Sequence, residues 1–185
     1  MIMAGIAVMY IFNAFTTLMK LWSDPSALSD IYRWQVGTLV NIAWADLPLM
    51  TVITIAGVIF IQFASRKLNV LAMGDDNAKA LGVNAENLRI LCLIIVALIT
   101  ASIVSFTGLI GFVGLVVPHI VRLFIGSDNR YLIPASTMFG AAFLVLADLI
   151  GRTMFSFTLE VGVVTAFIGG PMFLYLILRK KDNIW

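Results

Sequence analysis

The chain has 185 residues, of which 61% are hydrophobic and 12% are charged. Soluble domains carry about 25% charged residues, so this composition excludes an ordinary soluble protein and indicates an integral membrane protein. The single cysteine, Cys92, excludes a disulfide framework and a multi-cysteine metal site. The net charge of +2 says little about partners. We expect neither nucleic acid nor a cofactor to bind.

Long apolar segments recur along the chain, and a helix needs roughly 20 such residues to cross a bilayer. The uncharged run at 90–121 is too long for one helix, and Gly108, Gly111 and Gly114 provide a break within it. The predicted spans cover about 2–19, 47–65, 90–107, 109–125, 131–151 and 161–178. The sequence therefore predicts one all-α domain over 1–185, a polytopic membrane bundle of about six transmembrane helices.

Lysine and arginine are distributed unevenly between the loops on the two sides of this predicted bundle. With alternating spans, nine of them fall on one side and three on the other. The nine are Arg66, Lys67, Lys79, Arg89, Arg122, Arg130, Arg179, Lys180 and Lys181, and the three are Lys20, Arg33 and Arg152. Loops rich in these residues face the cytoplasm, so we expect 66–89 and both termini to be cytoplasmic and 20–46 to be external.

The external segment contains a predicted interfacial helix. Asp24 is a candidate N-cap, and Pro25 suits the first helical position. Apolar residues then recur at helical spacing at Leu28, Ile31 and Tyr32. This pattern is typical of an amphipathic helix that lies at a membrane surface.

The stretch LAMGDDNAKALGVNAENLR differs in composition from the apolar segments on either side of it. Gly74 breaks the chain, and Asp75 can cap a helix of about two turns. Leu81 is the last apolar residue of that helix, and Gly82 follows at a position where helices commonly end. Asn84 can cap a second helix that continues into the third span. Two short helices in tandem suit a docking surface, whereas the same pattern also fits a solvated connector.

Few polar side chains interrupt the predicted spans. In the first span, Tyr10, Asn13 and Thr17 share one helical face, where uncharged polar groups can hydrogen-bond between helices. Asp148 and Arg152 lie four residues apart near the external end of the fifth span, and their simplest interpretation is an i,i+4 ion pair. No set of residues for nucleophilic, acid–base or phosphate-binding chemistry can be assembled, which disfavours a membrane-embedded enzyme.

Four segments form a recognisable pattern in this order: LNVLAMGDDNAKALGVNAENLR, GLIGFVGLVVPHIVRLFIGSDNRYLIPAS, LADLIGRT and GVVTAFIGGPMFLYLILRKK. Together they closely resemble the permease subunit of type II ABC importers for iron-siderophore, haem and vitamin B12, over essentially the whole chain. Permeases of that family have about ten spans, and this chain is similar to the last six, so we expect it to lack the family's N-terminal helices. One departure is Glu160, which stands where the family usually has proline.

The resemblance implies roles for the residues singled out above. The segment 66–89 would carry a pair of coupling helices, at 75–81 and 84–89, that sits in a groove of a cytoplasmic ATPase subunit. Its ATPase-coupling residues would be Gly74, Asp75, Ala78, Leu81 and Gly82. Arg152 would receive acidic residues of an extracytoplasmic substrate-binding protein. The translocation path, at the interface with a second permease copy, would be lined by Tyr10, Asn13 and Thr17.

The function that the resemblance implies is transport of an iron-siderophore, haem or cobalamin-type metal chelate across the cytoplasmic (inner) membrane of a prokaryote. The chain itself would not be an enzyme, because a partner ATPase hydrolyses the ATP. The second permease copy would form a homodimer or be a paired homologue. The alternative is a secondary transporter or channel subunit that is not driven by ATP. Acidic residues deep in the spans would favour that alternative, but Asp148 is the only acid within a predicted span and lies near an end.

Overall fold

The computed structural model describes residues 2–40, 42–154 and 158–181, and every regular element in these ranges is an α-helix. The elements are α1 (Ile2–Trp22), α2 (Pro25–Val36), α3 (Leu47–Ala72), α4 (Asp75–Ala80), α5 (Ala85–Thr107), α6 (Val113–Ile125), α7 (Asn129–Thr153) and α8 (Val161–Lys181). The prediction of an all-α polytopic protein is confirmed, and α2 lies where the interfacial helix was expected.

Four of these helices, α1, α3, α5 and α7, are long and apolar enough to cross a bilayer, while α6 and the described part of α8 are shorter apolar helices. α3 has 26 residues and continues past its predicted end at 65 to Ala72. At 1.5 Å per residue it is about 39 Å long. Arg66 and Lys67 therefore belong to a helix that extends beyond its apolar part. Six crossings of a membrane stay a prediction.

The predicted start of the fourth span at 109 is corrected by the structure, because α6 begins at Val113 and has 13 residues. Phe112 has a φ of +66°, a conformation that is rare for a bulky residue, so the helix does not extend back through 109–112. At 1.5 Å per residue α6 is about 20 Å long, shorter than the roughly 30 Å hydrocarbon core of a bilayer. The glycine-rich run separates α5 from α6 as predicted, but through a longer connection than a tight turn.

Hydrogen bonds between connections define two ends of the bundle. At one end, the Asn69 side chain near the end of α3 donates to the Asp128 carboxylate just before α7, at 2.6 Å. We call this the basic end, because most of the chain's lysines and arginines lie in or near the segments that meet there. At the other end, which we call the opposite end, the N–H of Thr38 donates to the carbonyl of Thr107 at 2.8 Å.

The opposite end is closed by a close approach between backbones. The N–H of Gly162 in the first turn of α8 donates to the carbonyl of Gly37 at 3.0 Å. A Cβ atom at Gly162 would overlap the carbonyl of Val36, so only glycine allows this contact. Although Glu160 stands where proline is expected, α8 still begins at Val161.

Two apolar clusters hold α7 against its neighbours. Toward the basic end, Val117 and Val121 of α6 pack with Leu132 of α7. Toward the opposite end, α7 and α8 pack through Ala147, Val161 and Val164, with Leu39 and Ile110 against them. α7 is therefore fastened along its length, and it connects the two ends of the bundle.

α1 is the least buried long helix, and none of its side chains from residue 3 to residue 22 is buried. Near its end, Lys20 Nζ donates to Gln35 Oε1 at 2.6 Å and lies 4.5 Å from the centroid of the Tyr32 ring. These contacts join α1 to α2. The rest of α1 is an apolar surface that lipid or another protein has to cover.

Candidate coupling and docking sites

The segment between α3 and α5 is closed by a specific helix-ending turn. Gly82 has a φ of +75°, and its N–H donates to the carbonyl of Lys79 at 3.0 Å. The N–H of Val83 donates to the carbonyl of Ala78 at 2.8 Å. These two bonds define a Schellman motif with Gly82 as the left-handed residue. The predicted end of the short helix at this glycine is therefore confirmed.

The predicted role of Asp75 as a helix cap is wrong. Gly74 occupies the N-cap position, and Asp75 is the first residue of α4. Its carboxylate instead binds the Arg89 guanidinium through two bonds, Nη2 to Oδ1 at 2.6 Å and Nη1 to Oδ2 at 3.0 Å. The hydrogen bonds from Arg89 lower the pKa of Asp75, so the carboxylate stays ionised at neutral pH. The pair ties the start of α4 to the first turns of α5.

The predicted cap of the following helix is confirmed. Asn84 Oδ1 accepts a hydrogen bond from the N–H of Asn87 at 3.1 Å. α5 then runs without interruption from Ala85 to Thr107. The capped start fixes the direction in which α5 leaves the segment, because the side-chain bond satisfies one of the free N–H groups at the helix end.

The five residues predicted to contact an ATPase differ in exposure. Gly74, Asp75, Leu81 and Gly82 are exposed, and the Leu81 side chain is 64% exposed. Ala78 is fully buried, so its methyl group supports α4 from within. A cleft of about 900 Å³ lies beside the segment, and its charged lining residues are Asp75, Lys79, Glu86 and Arg89. The segment thus presents two large exposed apolar side chains, Met73 and Leu81, and a polar cleft lies beside it.

A group of polar contacts that the sequence interpretation missed joins α3 to the start of α7. Asn69 Nδ2 donates to Asp128 Oδ1 at 2.6 Å, and Asn69 Oδ1 accepts from the N–H of Asn129 at 2.8 Å. About two turns earlier in α3, Gln62 Nε2 donates to the carbonyl of Arg130 at 2.9 Å. We call these five residues the α3–α7 clasp.

Asp128 is both the N-cap of α7 and a member of the clasp. Its Oδ1 accepts from the N–H of Arg130 at 2.9 Å as well as from Asn69. The backbone N–H of Arg130, followed by the Asn69 amide, lowers the pKa of this carboxyl. The N-cap was readable from the sequence, since an aspartate precedes a helix. The partner 59 residues earlier was not, because nothing in the local pattern around Asn69 indicates where its side chain binds.

At the opposite end, the predicted ion pair between Asp148 and Arg152 is confirmed. Arg152 Nε donates to Asp148 Oδ2 at 2.7 Å, one helical turn apart on α7. The Arg152 side chain is 46% exposed and the Asp148 side chain 25%. The contact uses Nε, at the inner side of the guanidinium, and leaves the residue at the surface beside α8. This position suits a charged contact with another protein, which stays a prediction.

The three residues predicted to line a translocation path lie on the open surface of α1. Tyr10, Asn13 and Thr17 are all exposed. The Thr17 hydroxyl donates to the carbonyl of Asn13 at 2.9 Å, so its single donor is used within the helix. The described part of the chain brings no other element against this face. Whether it faces a path for a ligand stays a prediction.

Comparison with known proteins identifies relatives over the whole of this arrangement. The profile of the FecCD transport family matches residues 1–179. An ABC transporter permease protein of Methanocaldococcus jannaschii is 41% identical, with 100% of this chain and 53% of the relative covered. The hemin transport system permease protein of Yersinia pestis is 35% identical, and the cobalamin import system permease protein of Halobacterium salinarum is 38% identical. The hemin permease alignment covers 99% of this chain and 55% of the relative, and the cobalamin permease alignment covers 98% of this chain and 48% of the relative.

A solved structure described as an inward-facing conformation of a metal-chelate type ABC transporter has the same fold. The TM-score is 0.89 at 30% identity, and the match covers 96% of this chain and 58% of that one. The chain thus spans about half the length of the curated relatives it matches. The arrangement of helices described above corresponds to one contiguous portion of such a protein.

Proposed function

Since the chain belongs to the FecCD transport family, we propose that it is the membrane-spanning permease part of an ABC importer for a metal chelate. The proposed ligand classes are iron-siderophores, haem and cobalamin-type compounds. Relatives named for hemin and for cobalamin are similarly distant from the chain, so sequence identity does not choose between them. The excess of lysine and arginine at the basic end supports a location of that end, with both termini, in the cytoplasm of a prokaryotic cell.

The observation that carries this proposal is the construction of the segment between α3 and α5. α4 is short, it is closed by a Schellman motif at Gly82, and its start is fastened to α5 by the pair of Asp75 and Arg89. A segment fastened in this way moves as a unit, and it displays Leu81 to a partner. These properties fit a contact that transfers the opening and closing of an ATPase to the membrane helices. A solvated connector would need neither the fastening nor the exposed leucine.

The opposite end is proposed as the docking site of a substrate-binding protein. Arg152 lies at the surface there, and its partner Asp148 orients the side chain through Nε. Acidic side chains of a binding protein would complement the remaining face of the guanidinium. Such exposed charge pairs contribute mainly to the rate and specificity of association.

The open face of α1 is proposed to border the path of the ligand, next to a second permease copy. Polar side chains at one-turn spacing, Asn13 and Thr17 with Tyr10, lie on one face of a largely apolar helix. A weakly binding, sparsely polar lining suits a bulky chelate, because tight binding would slow its release. The second copy could be identical or a homologue.

Transport measurements test the function directly. The complete permease would be reconstituted in proteoliposomes with its ATPase and binding protein, and supplied with labelled ferric siderophores, haem or cobalamin. We expect uptake of one ligand class that requires hydrolysable ATP and stops with a non-hydrolysable analogue. Uptake driven by an ion gradient in the absence of ATP would contradict the proposal and favour a secondary transporter.

The orientation has a separate test. Cys92 would be replaced by Ser, and single cysteines would be placed at Ser26 in α2 or at Asn77 in α4. An impermeant thiol reagent added to intact cells should label the cysteine at position 26 and spare the one at 77. Both residues are exposed, so unequal labelling reports the side of the membrane. Labelling at 77 in intact cells would contradict a cytoplasmic basic end.

A further inference from the structure

The α3–α7 clasp has a geometry that distinguishes it from an ordinary surface contact. Asn69 uses both halves of its amide, since Nδ2 donates to Asp128 and Oδ1 accepts from the N–H of Asn129. The Asp128 carboxylate is ionised, and hydrogen bonds to ionised groups are shorter and stronger than those between neutral groups. The contact is also specific in orientation. A rotated Asn69 amide would place its oxygen against the Asp128 carboxylate and its NH2 group against the N–H of Asn129.

The clasp lies between the segment that carries α4 and the helix that reaches Arg152. Asn69 is three residues before the end of α3 at Ala72, and α4 starts at Asp75. Only a short length of continuous chain, about two helical turns, therefore separates Asn69 from α4. A displacement of α4 would be passed directly to Asn69. On the other side, Asp128 is the N-cap of α7, and this helix of 25 residues continues to Thr153.

α7 is packed in a way that lets it carry such a displacement. Its first half is fastened to α6 through Leu132, and its second half to α8 through Ala147. The second cluster also contains Leu39 and Ile110, from the connections that close the opposite end. Packed interiors transmit displacement because they have few voids to absorb it.

We propose that Asn69 and Asp128 are positioning residues for transport, which couple movement of the segment between α3 and α5 to α7 and thereby to the opposite end. This inference rests on the proposed function, because it concerns how ATP hydrolysis and ligand movement are linked. The clasped α3 and α7 would move as one unit between two states of the permease, and both an ATPase at α4 and a binding protein at Arg152 can bias that equilibrium. The clasp keeps α3 and α7 in one register in both states.

The test exchanges the two partners. Asn69→Asp places two carboxylates together, whereas the double variant Asn69→Asp with Asp128→Asn restores one donor and one acceptor with the polarity reversed. In the double variant, the new aspartate still accepts from the N–H of Asn129. Asp128 accepts from Asn69 and from the N–H of Arg130 through the same oxygen, so the new asparagine has to turn its amide to accept from Arg130 through Oδ1 and donate to the aspartate through Nδ2. The matched control is Asn129→Ala, because Asn129 joins the clasp through its backbone N–H only.

The measured quantity is ligand transported per ATP hydrolysed, in the complete permease reconstituted with its ATPase and binding protein. We expect this ratio to fall about tenfold in Asn69→Asp, the factor that corresponds to the loss of one hydrogen bond to a charged group. ATPase co-purification and the rate of ATP hydrolysis should stay at the parent level, which a mere loss of folding would not allow. In the double variant and in Asn129→Ala, the ratio of ligand transported to ATP hydrolysed should lie within about twofold of the parent value, since neither leaves a charged group without a partner.

Three outcomes would overturn the inference. The first is an unchanged ratio in Asn69→Asp. The second is an assembled double variant whose ratio stays as low as that of the single variant. If Asn69→Asp does not assemble, Asn69→Ala replaces it, and a parental ratio there is the third. Failure of the parent itself to move any ligand with ATP would instead contradict the proposed function, so the two failures are distinguishable.

Discussion

The basic end of the molecule and α1 use polar side chains in opposite ways. At the basic end, Asp75, Arg89, Asn69 and Asp128 bind one another across different helices. On α1, Asn13 offers its side chain to no described residue, and Thr17 bonds only within its own helix. In the first region, these side chains find their polar partners within the chain. The second is a surface whose polar side chains are left for a ligand, lipid or another protein to contact.

Under the proposed function, this difference separates a part that would transmit motion from a part that would face the ligand or a second permease copy. Paired polar groups fix the relative positions of α3, α4, α5 and α7, because each would lose a partner if its helix moved alone. The face of α1 carries no such constraint within the chain. Substitutions in either region test whether the other region responds.

The largest effect is expected from Gly82→Val. The φ of +75° at this position costs a non-glycine residue roughly 1–2 kcal/mol, and a β-branched side chain is among the least tolerant. The Schellman turn should open, and the ATPase should associate about 5- to 30-fold more weakly. Co-purification of the ATPase and ATP-driven uptake in proteoliposomes measure this. Gly82→Asn is the matched control, because asparagine tolerates this conformation better and should lose less.

Leu81→Asp should have a comparable effect for a different reason. It leaves the turn intact but places a charge on the exposed side chain that is proposed to contact the ATPase. Insertion and dimerisation should be unaffected, since the side chain is 64% exposed and supports no core. Normal assembly and uptake in both Leu81→Asp and Gly82→Val would show that the segment is only a connector.

A smaller effect is expected from modifying α1. In a Cys92→Ser background, a cysteine at Asn13 should react with a charged thiol reagent in the reconstituted permease, and the modified protein should lose more than half of its uptake. Phe15→Cys is the control at similar depth, because it lies on the opposite face of the same helix. Equal reaction and equal loss at both positions would argue against a path along the Asn13 face. Basal ATP hydrolysis should not change in either case, since α1 lies outside the clasp.

Arg152→Glu should weaken association with the binding protein about two- to fivefold at low salt, as is usual for one exposed charge contact. The difference should shrink as salt is added, because exposed charges are screened. Asp148→Asn is the matched control, since it removes the pair on α7 and keeps the positive charge at 152. Asp148→Asn should weaken binding less than Arg152→Glu, and unchanged binding in a well-folded Arg152→Glu would leave only a structural pair and no docking site.

The smallest effect is expected for Asp75→Asn. The carboxylate is exposed and so is its partner Arg89, and exposed ion pairs contribute little to stability. The thermal midpoint of the reconstituted permease should be unchanged, while the transport-to-hydrolysis ratio should fall by less than about twofold. A loss of ATPase co-purification as large as that of Gly82→Val would mean that the ion pair fastens α4 as firmly as the turn does. Arg89→Gln, which removes the same pair from the other side, should match Asp75→Asn.

Much of the fold was predictable because membrane helices have a strong local signal. Apolar length and the positions of charge located every long helix, and the Asn84 cap and the Gly82 turn followed from residue types with few conformational alternatives. The start of α6 was not predictable, because apolar composition continues through 109–112 while the backbone at Phe112 leaves the helical region. Apolar composition indicates which segments are stable in a membrane, but it does not indicate a local backbone conformation imposed by packing.

The sequence by itself determined the class of protein, the approximate helices and the resemblance to a permease family, since these depend on hydropathy, capping chemistry and motifs read along the chain. The tertiary structure alone decided the partners of polar side chains. It assigned Asp75 to Arg89 in place of the predicted cap and paired Asn69 with Asp128. The physical reason is distance along the chain. Helix propensity and caps act over about one turn, whereas these contacts join residues 14 and 59 positions apart that only the packed bundle brings together.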